Sequence, residues 1–189
     1  MATTAKASQP YHHGGLRDAA VTAAVARLRA GQTDLPTVRE LAAELGVTHR
    51  ALYRHFSDKA ALKAAVAGEG FALLAVRMTA QTPATPRRVM QAYVAFAFAE
   101  SALYGLMFAQ GSNELMGAPQ SRRVLTIVRD VFAAHNPKAT DAEVRDRVVS
   151  AWGMAHGLYE LWRVGALTVT EPARAASFIV GRLAAAALI

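Results

Sequence analysis

Apolar and polar positions along this 189-residue chain follow helical spacing almost throughout. Apolar residues recur every three or four positions, and almost no segment alternates apolar and polar residues with a period of two. Runs of β-branched residues are short, so the pattern predicts helices and no sheet. We therefore expect an all-α fold of about nine helices, the first running from about Gly15 to Ala30 and ending at Gly31.

A cluster of helix signals begins at Thr37. Thr37 and Glu40 have the spacing of a capping box, in which each side chain bonds the other residue's backbone N–H. Leu41 and Ala42 supply an apolar face for this helix. Gly46 is placed to end it, because glycine adopts positive φ without strain.

A second short helix is predicted directly after that turn. Thr48 is placed to cap it, and it runs to about His55. Phe56 is expected to pack inward, and Ser57 is expected to cap a third, longer helix. Two short helices joined by a tight glycine turn are the layout of a helix-turn-helix, whose second helix lies in the major groove of DNA.

The rest of the chain continues the helical pattern. The predicted helices cover residues 57–79, 86–110 (as a pair), 120–135, 141–165 and 172–188. A loop rich in turn-forming residues occupies 111–119. The longest apolar region, from Val89 to Gly111, is interrupted by polar residues, and we interpret it as two buried helices rather than a membrane span.

Composition narrows the classes of function. Hydrophobic residues make up 53% of the chain, which permits a real core. The formal net charge of +7 favours a polyanionic partner, although ordinary solubility charge is the alternative. Cysteine is absent, so disulfides, thiolate metal sites and cysteine catalysis are excluded. The polar N-terminus lacks the apolar core of a signal peptide, and we expect a cytoplasmic protein.

The exposed start of the second short helix carries the groups that bind phosphate: hydroxyls, imidazoles, cations and free N–H groups. The candidates on this helix and its rim are Thr48, His49, Arg50, Tyr53, Arg54 and His55. Lys59 is a further candidate, because a lysine in the first turn of a helix opposes the helix dipole unless an anion approaches. Arg39 is also included, and simple solvation is the alternative interpretation of Arg39 and Arg54.

The same stretch resembles the TetR (tetracycline-repressor) family of bacterial transcriptional regulators. The family pattern is a glycine turn, Val, Ser or Thr, three variable residues, Leu-Tyr-x-His-Phe, and then Lys and Leu. Residues 46–56, Lys59 and Leu62 match it, and residues 11–17 resemble the first-helix entry of many members. The resemblance implies a flexible tail at 1–10, a helix-turn-helix DNA-binding domain at 11–67 and a ligand-binding and dimerisation domain at 68–189.

The resemblance also implies roles for single residues. Five residues would bind phosphates, two of them at helix N-termini: Tyr53, His55, Lys59, Thr37 and Thr48. His49 and Arg50 stand at variable positions that read bases. Arg50 with guanine is the base pairing that we expect first.

A second resemblance lies on the helix predicted at 141–165. Trp152 to Gly157 resembles the Trp-x-x-x-His-Gly signature of one subgroup of TetR-family ligand domains. At 100° per residue, one face of this helix carries Val149, Trp152, His156, Tyr159 and Arg163, and we expect its Trp152, His156 and Tyr159 side to point inward. The opposite face carries Ala151, Met154, Leu158, Leu161 and Trp162. We expect its Met154, Leu158 and Leu161 side to pack on the last helix and on a second subunit, in an intersubunit four-helix bundle.

Aromatic residues and methionines recur through the second part of the chain. Singly they are core residues, but as a set with a few convergent polar groups they predict an apolar ligand pocket. The residues assigned to this pocket are Tyr93, Phe96, Glu100, Tyr104, Phe108, Trp152, His156 and Tyr159. His156 and Glu160 are four residues apart, but no third ligand stands at a fixed spacing, so we expect no metal or cofactor.

These patterns favour a ligand-responsive DNA-binding regulator. We expect a repressor that binds a palindromic double-stranded operator as a homodimer and is released by a small hydrophobic or aromatic effector. An enzyme is the second class, with Glu100 and His156 as a conceivable acid–base pair, but no phosphate loop, nucleophile elbow or zinc motif is present. A helical interaction module without DNA is the third.

Overall fold

The computed structural model describes residues 13–109 and 117–189, which form nine α-helices and no strand. This confirms the all-α expectation. The helices are α1 (His13–Arg29), α2 (Val38–Glu44), α3 (His49–Tyr53), α4 (Lys59–Thr79), α5 (Pro86–Ala99), α6 (Ser101–Phe108), α7 (Pro119–His135), α8 (Asp141–Arg163) and α9 (Pro172–Ala185). The expected tail at 1–10 and most of the loop expected at 111–119 lie outside the described residues.

Local capping signals fix most helix ends. The capping box of α2 is present, since the Thr37 side chain accepts from the Glu40 N–H and the Glu40 carboxylate accepts from the Thr37 N–H. The turn after α2 contains Gly46 at φ +66°, a conformation that a side chain would strain. Thr48 caps α3 by accepting a hydrogen bond from the Ala51 N–H. These three expectations are confirmed.

Two expected boundaries are wrong. Helix α3 ends at Tyr53, so His55 lies beyond it in the following turn. The cap of α4 is Asp58 rather than Ser57, because an Asp58 carboxylate oxygen accepts from the Ala61 N–H at 2.7 Å. The Ser57 hydroxyl donates to the other Asp58 oxygen at 3.2 Å. The neighbouring carboxylate, the stronger acceptor, therefore takes the capping position.

The chain divides into two compact units, one ending at Val66 and the other beginning at Ala67. In the first unit, α2, α3 and α4 each contribute a fully buried leucine to the core: Leu41, Leu52 and Leu62. Phe56 closes this core from the turn after α3, and the guanidinium of Arg17 lies 5.8 Å from the centre of its ring.

The second unit is built around α5, which contacts α6, α7, α8 and α9. Pro86 starts α5, and Thr85 caps it by accepting from the Arg88 N–H. The helix is interrupted at Glu100, and α6 runs at 104° to α5. No single helix within the described ranges is long and apolar enough to cross a membrane; the bent pair of α5 and α6 meets those criteria only when taken together.

Helices α4 and α6 approach each other closely at Gly70. A Cβ atom added to Gly70 would lie 2.6 Å from the Met107 sulfur and 3.2 Å from Leu103 Cγ. Real Cβ atoms essentially never come as near to a neighbour as the first of these distances. The absence of a side chain at position 70 therefore leaves the space that the Met107 side chain occupies.

Candidate functional site

A polar surface is presented by α3 and its flanks in the first unit. We define this recognition surface by seven residues: Thr48, His49, Arg50, Tyr53, Arg54, His55 and Lys59. All are exposed except His55, which is half-buried. Leu52 and Phe56, which stand among them in the sequence, are fully buried and hold this short helix against α2. Burial of the apolar positions therefore turns the polar positions outward.

Three arginines in and beside the recognition surface are open to an external partner. Arg39, Arg50 and Arg54 are exposed, and none makes an ion pair or hydrogen bond within the residues that the structure describes. Arg27, by contrast, pairs with Glu44 at 2.7 Å. Guanidinium groups without an internal partner are available to anions from outside.

Thr37 differs from the other predicted phosphate contacts. Its backbone N–H and its hydroxyl both donate to the Glu40 carboxylate, at 2.6 and 2.8 Å. These bonds lower the pKa of Glu40, chiefly through the Thr37 backbone N–H, so the acceptor stays ionised. Thr37 is exposed, but its donors are already committed and a negative charge sits beside it.

Lys59 is the first residue of α4 and is exposed. The preceding Asp58 carboxylate is held ionised, because hydrogen bonds from the Ala61 N–H and the Ser57 hydroxyl lower its pKa. Thus Asp58 occupies the N-terminal cap of α4, and Lys59 extends the positive side of the recognition surface.

A second polar cluster is enclosed in the second unit. The Trp152 indole N–H donates to Tyr93 Oη at 2.8 Å, Tyr93 Oη lies 2.5 Å from Tyr104 Oη, and Tyr104 Oη lies 2.6 Å from His156 Nδ1. We call these four residues the polar quartet. They come from α5, α6 and α8, and the expectation that Trp152 and His156 face the interior is met by these bonds.

Burial determines the protonation states in the quartet. It raises the pKa values of Tyr93 and Tyr104 well above their ordinary value, so both hydroxyls keep their protons. Burial lowers the pKa of His156, opposed by the nearby Glu160 carboxylate, so the neutral imidazole is favoured. Tyr159, adjacent on α8, has a pKa raised to about 12 by burial. Its hydroxyl has no hydrogen-bond partner among the described residues.

Tyr93, Phe108 and Trp152 line a narrow apolar cavity between α4, α5, α6, α7 and α8, with about 20 Å³ open to the centre of a water molecule. Of the eight residues assigned to a pocket, these three alone line this cavity within the described part of the chain. Tyr104 and His156 are hydrogen-bonded behind the Tyr93 wall.

The other pocket candidates have different neighbours. Glu100 pairs with Arg77 at 2.6 Å, and the guanidinium of Arg77 lies 5.1 Å from the centre of the Phe96 ring. Tyr159 packs edge-on against Phe98 and Tyr104. Glu100, Phe96 and Tyr159 therefore support the walls of the second unit rather than the surface of this cavity.

Sequence reasoning missed one wall of the cavity. Helix α7 forms this wall with Ser121, Val124, Leu125 and Val128. On α4, Leu74 was also missed, whereas Phe71 and Met78 belong to the expected set of aromatic residues and methionines. The spacing of 121, 124, 125 and 128 is the i, i+3, i+4, i+7 signature of a buried helix face. That signal identifies the face of α7 that lines the cavity.

One face of α8 was assigned incorrectly. Val149, which was placed on the same face as Trp152, is 57% exposed, whereas Ala151, which was placed on the opposite face, is fully buried. The buried positions of α8 are Val144, Val148, Ala151, Ala155 and Tyr159. The inward stripe is therefore rotated from the expected one, and Trp152 and His156 lie at its half-buried margin.

Comparisons with known proteins cover both units. A profile described as "Bacterial regulatory proteins, tetR family" matches residues 20–66, and one described as "Tetracyclin repressor-like, C-terminal domain" matches residues 87–183. No curated protein matches the chain.

Solved structures with a similar fold include a protein of unknown function from Rhodococcus sp. RHA1, with 24% identity, TM-score 0.68, and 93% of this chain and 96% of that one covered. A candidate regulatory protein, SCO4313, has 18% identity and TM-score 0.68, with 90% of this chain and 96% of that one covered. The TetR family transcriptional regulator PfmR from Thermus thermophilus has 16% identity and TM-score 0.50, covering 85% and 94%.

Proposed function

Because this chain belongs to the TetR family of bacterial regulatory proteins, we propose that it is a transcriptional repressor released from DNA by a small effector. Family membership supports a DNA-binding regulator rather than an enzyme. The repressor role, the palindromic operator, the homodimer and the effector are our proposals. We also propose the cytoplasm as its location and the Trp-x-x-x-His-Gly subgroup as its relatives.

One observation carries the DNA-binding proposal: the recognition surface gathers exposed cations and hydroxyls around a helix whose large aliphatic residue, Leu52, is turned inward. Tyr53, His55, Lys59 and Thr48 would contact phosphates and fix the register on the duplex. His49 and Arg50, at the first turn of α3, would reach base edges in the major groove. Thr37 would contribute least, because Glu40 already accepts from its donors.

We assign the dimer contact to α8 and α9. Leu161 on α8 and Phe178 on α9 are apolar side chains left 46% and 38% exposed. Met154 and Leu158 on the same stretch of α8 are half-buried. Apolar side chains on two packed helices are suited to a self-complementary contact between identical subunits.

The effector proposal rests on the cavity lined by Tyr93, Phe108 and Trp152. Its lining is apolar, which favours a hydrophobic or aromatic molecule. Its 20 Å³ is far below the several hundred Å³ of a typical ligand pocket, so binding would require the lining helices to move apart. Helix α4 supplies Leu62 to the core of the first unit and Leu74 to the cavity. We propose that α4 carries this movement toward the DNA-binding unit.

The DNA-binding proposal is tested by gel shift against the intergenic DNA beside the protein's own gene, with an inverted repeat as the probe. A scrambled duplex of the same composition is the competitor. We expect specific binding that weakens steeply as salt rises, because phosphate contacts release counterions. Equal affinity for the repeat and the scrambled duplex would contradict a sequence-specific operator, and no binding at low salt would contradict the proposal as a whole.

The dimer is tested separately by sedimentation equilibrium. Leu161→Asp and Phe178→Asp should each shift the protein toward monomer. Val76→Asp is the matched control, because Val76 is 64% exposed on α4 and lies outside the proposed contact. Dissociation caused equally by all three variants, or by none, would contradict the assignment of the contact to α8 and α9.

A further inference from the structure

The polar quartet has one end whose direction is fixed. Trp152 Nε1 carries a proton and cannot accept, so it donates to Tyr93 Oη. The other two contacts can run either way, because each hydroxyl and the neutral imidazole can donate or accept. The direction of the whole row therefore depends on which His156 nitrogen carries a proton.

In the outward direction every proton has a partner. Trp152 donates to Tyr93, Tyr93 to Tyr104, and Tyr104 to an unprotonated Nδ1 of His156. In the reverse direction, protonated Nδ1 donates to Tyr104 and Tyr104 donates to Tyr93. Tyr93 Oη then accepts twice, and its own proton has no partner in the quartet, although the side chain is only 3% exposed. The outward direction is favoured in the free protein, because an unpaired buried donor is unfavourable.

The unpaired proton of the reverse direction belongs to a residue that lines the cavity. We propose that Tyr93 Oη is the polar anchor for an apolar effector bearing one hydrogen-bond acceptor, and that capture of this acceptor reverses the quartet and leaves His156 protonated at Nδ1. This inference rests on the effector proposed above. It specifies a class of ligand, namely apolar molecules with a single carbonyl or ether oxygen.

Reversal makes better use of donors than the simplest alternative. A ligand acceptor that took the Trp152 N–H directly would leave three hydrogen bonds among the four residues and the ligand. A reversed quartet makes four, because Tyr93 donates to the ligand while it accepts from both Trp152 and Tyr104. In the reversed quartet Tyr93 Oη accepts from both Trp152 and Tyr104, so its own proton is what it has left to offer a ligand.

The proton at Nδ1 has a route in and a counterion. His156 is half-buried, so its imidazole exchanges protons with solvent. If the imidazole stays neutral after reversal, Nε2 releases one proton to solvent as Nδ1 gains one. If the imidazole becomes a cation, Nε2 keeps its proton. The groups around the imidazole are Tyr104 and Phe108 on α6 and Glu160 on α8. Glu160, which is paired with Arg163 at 2.7 Å, is the acidic group among them and favours the cation.

The test uses the full chain with ¹⁵N-labelled histidine and two probes of matched shape, indane and 1-indanone, which differ by one carbonyl oxygen. NMR reports the protonation of His156 Nδ1 in the free protein and at saturation with each probe. Tyr93→Phe removes the anchoring hydroxyl and keeps the ring. Tyr159→Phe is the matched control, since it removes a buried hydroxyl that has no partner among the described residues.

We expect an unprotonated Nδ1 in the free protein and in the indane complex, and a protonated Nδ1 in the 1-indanone complex. In Tyr93→Phe the affinity for 1-indanone relative to indane should fall about ten-fold, the value of one hydrogen bond. In Tyr159→Phe that ratio should stay unchanged. Comparing ratios removes the different solvation of the two probes.

Three results would overturn the inference: Nδ1 protonated in the free protein, Nδ1 unchanged at saturating 1-indanone, or the same affinity ratio in Tyr93→Phe as in the wild type. Failure of both probes to bind saturably would also overturn it. A protein that binds its operator yet shows one of these results keeps the proposed function and loses this inference. A protein with the expected Nδ1 response and no affinity for DNA keeps this inference and loses the proposed function.

Discussion

The recognition surface and the polar quartet use polar side chains in opposite ways. On the surface, Arg50 and Arg54 are exposed and have no partner within the described residues. In the quartet, Trp152, Tyr93 and Tyr104 are joined by hydrogen bonds of 2.5 and 2.8 Å. Exposed polar groups bind an external partner and contribute little to folding, whereas enclosed groups stabilise the fold and must be rearranged before they bind anything. Substitutions in the two regions should therefore separate function from stability.

The largest expected effect concerns the apolar support beneath the surface. Leu52→Ala should lower the free energy of unfolding by about 2–5 kcal/mol, because Leu52 is fully buried and its loss leaves a cavity. Tyr53→Phe, one position later and 43% exposed, should change it by less than about 0.5 kcal/mol. Urea unfolding followed by circular dichroism measures both. Equal losses would mean that α3 is not held as described.

Next in size is the pair at the break between α5 and α6. Arg77→Met should destabilise the protein by about 2–3 kcal/mol, because the Glu100 carboxylate, 6% exposed, loses a charged partner. Arg129→Met is the control. It removes a similarly short contact, to Asp130, between two side chains that are each at least 60% exposed, and it should cost less than about 1 kcal/mol. Thermal unfolding of the two variants would reveal a reversed order.

The quartet itself should show an intermediate effect. Tyr104→Phe leaves Tyr93 and His156 without their shared partner and should cost about 1–3 kcal/mol. Tyr159→Phe should be neutral or slightly stabilising, because it removes a buried hydroxyl with no partner among the described residues. Chemical unfolding of the two variants compares them directly. A larger loss in Tyr159→Phe would show that its hydroxyl is bonded in solution.

Substitutions on the recognition surface should leave the free energy of unfolding unchanged and should change DNA binding. Lys59→Ala should weaken binding to all sequences by about 1 kcal/mol and reduce the salt slope by about one. Arg50→Ala should instead relax the preference at one base position, by about 1–3 kcal/mol of discrimination. Competition gel shifts with single-base variants of the operator distinguish the two. Loss of stability in either variant would contradict the division between the regions.

The smallest effect is common to both units. The capping boxes of α2 and α8 hold the pKa values of Glu40 and Glu143 below their ordinary value, mainly through the backbone N–H groups of Thr37 and Thr140. A depressed pKa adds stability that is present above the unfolded pKa and is lost as the pH falls through the folded one. The double variant Glu40→Gln, Glu143→Gln should therefore lose less stability than the wild type below about pH 4.5. An equal loss of stability with falling pH in the double variant and in the wild type would contradict this prediction.

The sequence predicted the parts of the fold that depend on near neighbours. The capping box of Thr37 and Glu40, the positive φ of Gly46 and the cap at Thr48 are each settled within a few residues, so the residue types suffice. The prediction that Ser57 caps α4 was wrong, because Ser57 and Asp58 stand side by side and both are residue types that cap helices. Which of the two acts as the cap depends on the residue at which α4 starts.

Contacts between residues that are far apart in the sequence were harder to predict from it. Glu100 looked like a polar group awaiting a ligand, because its partner Arg77 lies 23 residues earlier on another helix. The quartet joins residues 11, 52 and 59 positions apart, so the sequence could name its members but not their bonds. Val149 was misplaced because an ideal 100° wheel does not determine which neighbours a helix meets.

Gly70 places an unusual restriction on this sequence. Alanine is the most favourable residue inside a helix and the mildest replacement for glycine. At position 70 it would bring a methyl group into the space occupied by the Met107 thioether. In a protein whose helices accept alanine readily elsewhere, the commonest small residue is disfavoured at this position because the buried Met107 side chain would have to move to admit it.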